Sequence, residues 1–128
     1  MSEKTVFITG ASRGIGSALA FKMAMQGYKV AIGYNTSKDQ AEKLQDKILS
    51  NKGDAITVNV KVEDRKSVKN AIVQITNEFG DIGILVNNAG ISQEKKFLEI
   101  SDTDLLNMLS INLMGSFISS QEVLPSMV

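Results

Sequence analysis

Two clusters in this sequence combine residue types and spacing that could do chemistry. The first is "YNTSK", Tyr34 to Lys38. A nearby lysine favours phenolate over phenol, and a phenol of lowered pKa can hand a proton to a reduced carbonyl near neutral pH. The second is "TGASRGIG", Thr9 to Gly16. Glycines that follow a strand and open a helix bring free N–H groups and the positive end of a helix dipole to a phosphate. In that reading Gly10 takes a tight turn, Gly14 lets the backbone approach a pyrophosphate, and Gly16 lets helix and strand pack closely. The spacing is G-x-x-x-G-x-G rather than G-x-G-x-x-G, so the motif alone also suits a turn that binds nothing.

Composition removes most other chemistries. The 128 residues contain no Cys and no His, which excludes thiol nucleophiles, disulfides, the common zinc sets and His-based triads. No metal site is expected. Fourteen Lys and Arg balance fourteen Asp and Glu, so no global field points to nucleic acid or an anionic membrane. The start, "MSEKTVFITG", has too short an apolar run for a signal peptide, and no window reaches a spanning length. The expected location is the cytoplasm, and the expected organisation is one domain over 1–128.

The elements that must position these clusters alternate between two periods. Short apolar runs at 5–9, 28–34, 55–60 and 82–87 read as strands, and three of them are near-continuous, as buried parallel strands are. The run at 55–60 alternates, which suits a sheet edge. Between the strands lie helical stripes: Ile15, Ala18, Leu19 and Met23; then Ala41, Leu44 and Ile48; then Val68, Ala71, Ile72, Ile75 and Phe79. Gly27, Gly53 and Gly80 follow these helices where a left-handed cap is wanted. A βαβαβαβ order predicts an α/β fold of Rossmann type, a parallel sheet with helices on both faces. From Ser101 a further helix begins, and its apolar residues from Leu105 to Ile118 nearly encircle it. That pattern expects a second partner, and with no strand following, the domain reads as truncated after this helix.

"TGASRGIG" together with "LVNNAG", Leu85 to Gly90, resembles the two signature motifs of the short-chain dehydrogenase/reductases. Asn112, in "SINLMGSF", matches the family's helical asparagine. The resemblance covers essentially the whole chain and is similar, within the family, to the 3-oxoacyl-acyl-carrier-protein reductases. One departure is Gly83, where relatives commonly carry Asp.

The resemblance implies a nicotinamide cofactor, and the sequence suggests which one. An acid ending the second strand would hold the ribose hydroxyls of NAD. Here that strand ends "GYNTS", with no Asp or Glu before Asp39. Arg13 lies in the glycine turn, where a guanidinium can meet a ribose 2′-phosphate. The expectation is NADP(H). The family pattern implies that Ser12, Arg13, Asn35 and Thr36 surround that phosphate, with Ile15 beside the glycines. It implies that Asn59 and Val60 line the adenine site, and that Asn88, Ala89 and Gly90 pass the nicotinamide ribose.

The family's reaction is hydride transfer to a ketone with proton donation by a tyrosine that a lysine activates, while a serine positions the carbonyl. The resemblance gives Asn112 the catalytic role of ordering a relay water. The serine and Tyr-x-x-x-Lys are expected beyond Val128, so the chain alone is expected to be inactive. The implied substrate is a 3-oxoacyl thioester on acyl carrier protein, with acetoacetyl-CoA, sugars or steroids as alternatives, and a non-catalytic NADP-binding sensor as a different class. A full-length homo-oligomer is expected through the apolar helix. The segment Ser92 to Ile100 reads as a solvated charged loop. Tyr34 and Lys38 are then a coincidence of spacing: Asn-Thr-Ser between them reads as a turn, and the loop lies at the adenosine end, far from hydride transfer.

Overall fold

The computed structural model describes residues 4–92 and 94–128. Four strands form one parallel sheet: β1 (Thr5–Ile8), β2 (Lys29–Tyr34), β3 (Asp54–Asn59) and β4 (Ile82–Val86), in the order β3-β2-β1-β4. The expected α/β fold is present, and β3, the alternating strand, is at an edge. Phe7 pairs with Ala31 and Leu85. The register between β1 and β4 slips once, after Thr5, so that Gly83 is the extra residue.

Period-two alternation splits the core into two layers. Val6, Ile8, Val30 and Ile32 face one side, where α1 (Gly14–Met25) and α2 (Lys38–Ser50) cover them. Phe7, Ala31 and Val58 face the other, beneath α3 (Arg65–Phe79) and a broken C-terminal helix. That helix comprises α4 (Asp102–Leu109), a π turn (Ser110–Met114) and α5 (Gly115–Val123). Asp64 starts α3 by accepting from the Lys66 and Ser67 amides, and Ser101 starts α4 in a reciprocal capping box with Asp104.

Two expectations fail. Ile15 and Ala18 do not face the core: Ile15 is 82% exposed, and α1 docks instead through Gly16, Ala20 and Ala24. This helix is apolar on all sides, so size decides which face approaches the sheet. The left-handed residue after α2 is Lys52, with φ 66°, not Gly53. Gly53 is there for space, because a Cβ would stand 2.8 Å from Ile48 Cγ2. Gly27 and Gly80 do take positive φ. Among the described residues, no helix is long and apolar enough to cross a membrane.

Candidate functional site

In a parallel sheet all carboxyl ends lie along one edge, and the crevice opens where successive crossovers leave in opposite directions. Here β1 has β2 on one side and β4 on the other, so that point lies between β1 and β4. The loops after these strands are knotted together. The Thr9 hydroxyl accepts from the Asn88 and Ala89 amides at 3.1 and 3.0 Å and donates to the Val86 carbonyl. Asn88 Nδ2 donates to the Gly10 carbonyl at 2.8 Å.

The glycines divide their work. Gly10 has φ 62°, and a Cβ there would stand 2.7 Å from Ala89 Cα, so the β4 loop can approach only glycine. A Cβ on Gly16 would meet the Asn88 amide and, at 2.7 Å, the Gly10 carbonyl. Gly14 has φ 65° and open space above it. The residue before α1, Arg13, is extended and places no side-chain cap on the helix. The first N–H groups of α1 are therefore available to an anion.

Beside this turn lies a cleft of about 360 Å³. Gly10, Ser12 and Arg13 line it from the first turn, Asn35 and Thr36 from the loop after β2. Val60 lines it after β3, and Asn88, Ala89 and Gly90 line it after β4. Of the other expected residues, Gly14, Ile15 and Gly16 belong to the start of α1, outside the lining. Asn59 is also outside: its Nδ2 donates to the Asn35 carbonyl at 2.7 Å and so ties the loop after β2 to β3. Asn112 is also outside the lining: it is exposed and is bonded to Ile91, which lines the cleft.

Five lining residues were not anticipated: Ser37, Val62, Glu63, Ile91 and Ile111. Val62 continues the alternation of Val58 and Val60, which is the signal that could have found it. The set suits a nucleotide cofactor: a cationic and hydroxyl-bearing end at Ser12, Arg13 and Thr36, and an apolar wall at Val60, Val62 and Ile111. Tyr34 is buried in the core and Lys38 opens α2 on the surface, so the tyrosine–lysine pair has no joint role.

The charged loop before α4 is anchored through Lys95, which donates to Asp104 at 2.8 Å. That hydrogen bond, with the Ser101 amide, holds the Asp104 carboxyl below its ordinary range. Gln93, within this loop, lies outside the described residues.

Residues 4–128 match the family model described as short chain dehydrogenase. The chain belongs to the short-chain dehydrogenases. Among curated relatives of this family, the 3-oxoacyl-[acyl-carrier-protein] reductase FabG of Staphylococcus epidermidis is 34% identical over 98% of this chain and 52% of its own length. The protein of the same name from Haemophilus influenzae is 37% identical over 100% of this chain and 51% of its own length. Of the solved structures, a dehydrogenase/reductase from Sinorhizobium meliloti superposes with a TM-score of 0.93 at 29% identity, over 98% of this chain and 50% of that one. A short-chain dehydrogenase/reductase from Serratia marcescens gives 0.91 at 34%, over 97% and 51%. The chain thus spans about half the length of the short-chain dehydrogenases it matches.

Proposed function

We propose that this chain is the NADP(H)-binding part of a short-chain reductase that reduces a ketone, in the cytoplasm, on a 3-oxoacyl thioester of acyl carrier protein. The observation that carries the cofactor choice is the joint placement of Arg13, Asn35 and Thr36 in one cleft with no acid at the end of β2. A guanidinium and two neutral groups favour a 2′-phosphate, and a carboxylate there would repel it. The similarity to the two FabG proteins supports the substrate.

Bound nicotinamide supplies the hydride. The chain's own residues bind and orient: the uncapped start of α1 and the Gly14 backbone take the pyrophosphate, and Asn88, Ala89 and Gly90 flank the nicotinamide ribose. Asn112 positions the loop after β4, and each end of its amide retains one hydrogen-bonding position at which a relay water could be held. The exposed apolar residues Leu105, Leu109, Leu113 and Phe117 along α4 to α5 favour self-association of the whole protein there. Light scattering on the full-length protein checks that association, and a monomer rejects it.

The cofactor reading is tested by titrating the chain with NADPH and NADH and following nicotinamide fluorescence. NADPH should bind at least about tenfold more tightly, and Arg13→Ala should remove most of that ratio. Tighter NADH binding would overturn the reading.

A further inference from the structure

Asn59 lies outside the cleft lining, yet its side chain fixes the loop after β2. Backbone carbonyls of a strand point alternately to its two neighbours. The Gly33 carbonyl accepts from the Ala11 amide, on the β1 side, and the Tyr34 carbonyl accepts from the Val60 amide, on the β3 side, each at 2.8 Å. Continued alternation would turn the Asn35 carbonyl back toward β1 and the glycine turn. It does not turn back: Asn59 Nδ2, at the end of β3, donates to it at 2.7 Å.

Two consecutive carbonyls, those of Tyr34 and Asn35, therefore face β3. A trans peptide points its C=O and N–H in opposite directions, and no described peptide is cis. With the carbonyl held toward β3, the Thr36 N–H points the other way, toward the turn that carries Ser12 and Arg13. That N–H has no partner among the described residues, and Thr36 lines the cleft. Among the described residues, the Asn59 amide makes the one hydrogen bond that reaches Asn35, Thr36 or Ser37 from outside α2. A phosphate dianion only accepts hydrogen bonds, so the orientation of this peptide decides whether it meets a donor or a repelling carbonyl.

Building on the NADP(H) reading, we propose that Asn59 is a positioning residue for cofactor choice: it turns the Asn35–Thr36 peptide so that an N–H, not a carbonyl, meets the 2′-phosphate. Its effect reaches the phosphate through Asn35 and involves no contact with the base.

The test titrates the native chain, Asn59→Ala and Asn59→Gln with NADPH, NADH and reduced nicotinamide hypoxanthine dinucleotide phosphate, following nicotinamide fluorescence. Asn59 is exposed, so both variants should keep the fold, as read by circular dichroism. In Asn59→Ala the preference for NADPH over NADH should fall about threefold or more, the scale of one exposed hydrogen bond. NADH affinity should stay within about twofold, since NADH carries no 2′-phosphate. Asn59→Gln keeps the donor and should restore part of the preference. The two phosphorylated dinucleotides differ only in the base, and the ratio of their affinities should be the same in all three proteins. An unchanged NADPH-to-NADH ratio in Asn59→Ala overturns the proposal. So does a shift in the ratio between the phosphorylated dinucleotides, because Asn59 would then act at the base. A native chain with no preference for NADPH would instead defeat the cofactor reading, and this inference with it.

Discussion

Ile91 and Asn112 are joined by two hydrogen bonds, each 2.8 Å: the Ile91 amide donates to Asn112 Oδ1, and Asn112 Nδ2 donates to the Ile91 carbonyl. One side-chain amide thus serves as a strand partner for one residue of the loop after β4. Asn112 lies in the π turn, and a Cβ on Gly90 would stand 3.1 Å from its oxygen. The pin sets the spacing between the loop and the helix. Asn112→Leu should cost about 1–2 kcal/mol by urea unfolding and speed amide exchange at Ile91. Asn112→Asp should retain the Ile91 N–H bond and lose the other. Unchanged exchange at Ile91 in Asn112→Leu would show that something else holds the loop.

Thr9 is 1% exposed, and its hydroxyl is shared by two amides of the β4 loop. Valine fills the same space with no acceptor, so Thr9→Val should destabilise by about 2 kcal/mol through unsatisfied donors. Thr9→Ser keeps the acceptor and should cost under about 1 kcal/mol. A comparison of urea midpoints decides it: equal losses would assign the effect to packing.

These two contacts mark the limit of what the sequence shows. The α3 stripe was legible because Val68, Ala71 and Ile75 recur at a helical period between polar residues, and all three are buried. The first helix was not, since apolar residues surround it and close approach to the sheet selects Gly16, Ala20 and Ala24 by size. Nor was the π turn, which interrupts a helix whose sequence reads as continuous around Asn112, a residue held by tertiary contact. In the cleft, the glycine turn and the β4 loop were read from local motifs. Glu63 was missed because it lies beyond the end of β3, where the alternation that accounts for Val60 and Val62 no longer predicts which side chains reach the cleft.

Acid should loosen the start of α4. The Asp104 carboxyl accepts from Lys95 and from the Ser101 amide, and its pKa is lowered from the ordinary 3.8. A depressed folded-state value means the contribution is present above the ordinary pKa and lost as pH falls through the lowered one. NMR titration should find Asp104 below 3.8, and Lys95→Met should raise it toward that value. Titration at or above the ordinary value in the native chain would contradict the geometry.

The three glycines of the first turn should separate folding from binding. Gly10→Ala drives a Cβ against the Ala89 backbone at 2.7 Å, and Gly16→Ala drives one against the Gly10 carbonyl at the same distance. Backbone cannot yield as a flexible side chain does, so each should cost about 2–3 kcal/mol or more. At Gly14 nothing lies within 4 Å of the added atom, and only the positive φ of 65° opposes it. Gly14→Ala should therefore cost about 1 kcal/mol and leave the fold intact. The new methyl stands beside the uncapped start of α1, where the pyrophosphate would approach. NADPH affinity should fall about tenfold or more in a folded protein, as read by circular dichroism and fluorescence titration on one sample. If Gly14→Ala binds NADPH as the native chain does, the phosphate does not sit at this turn.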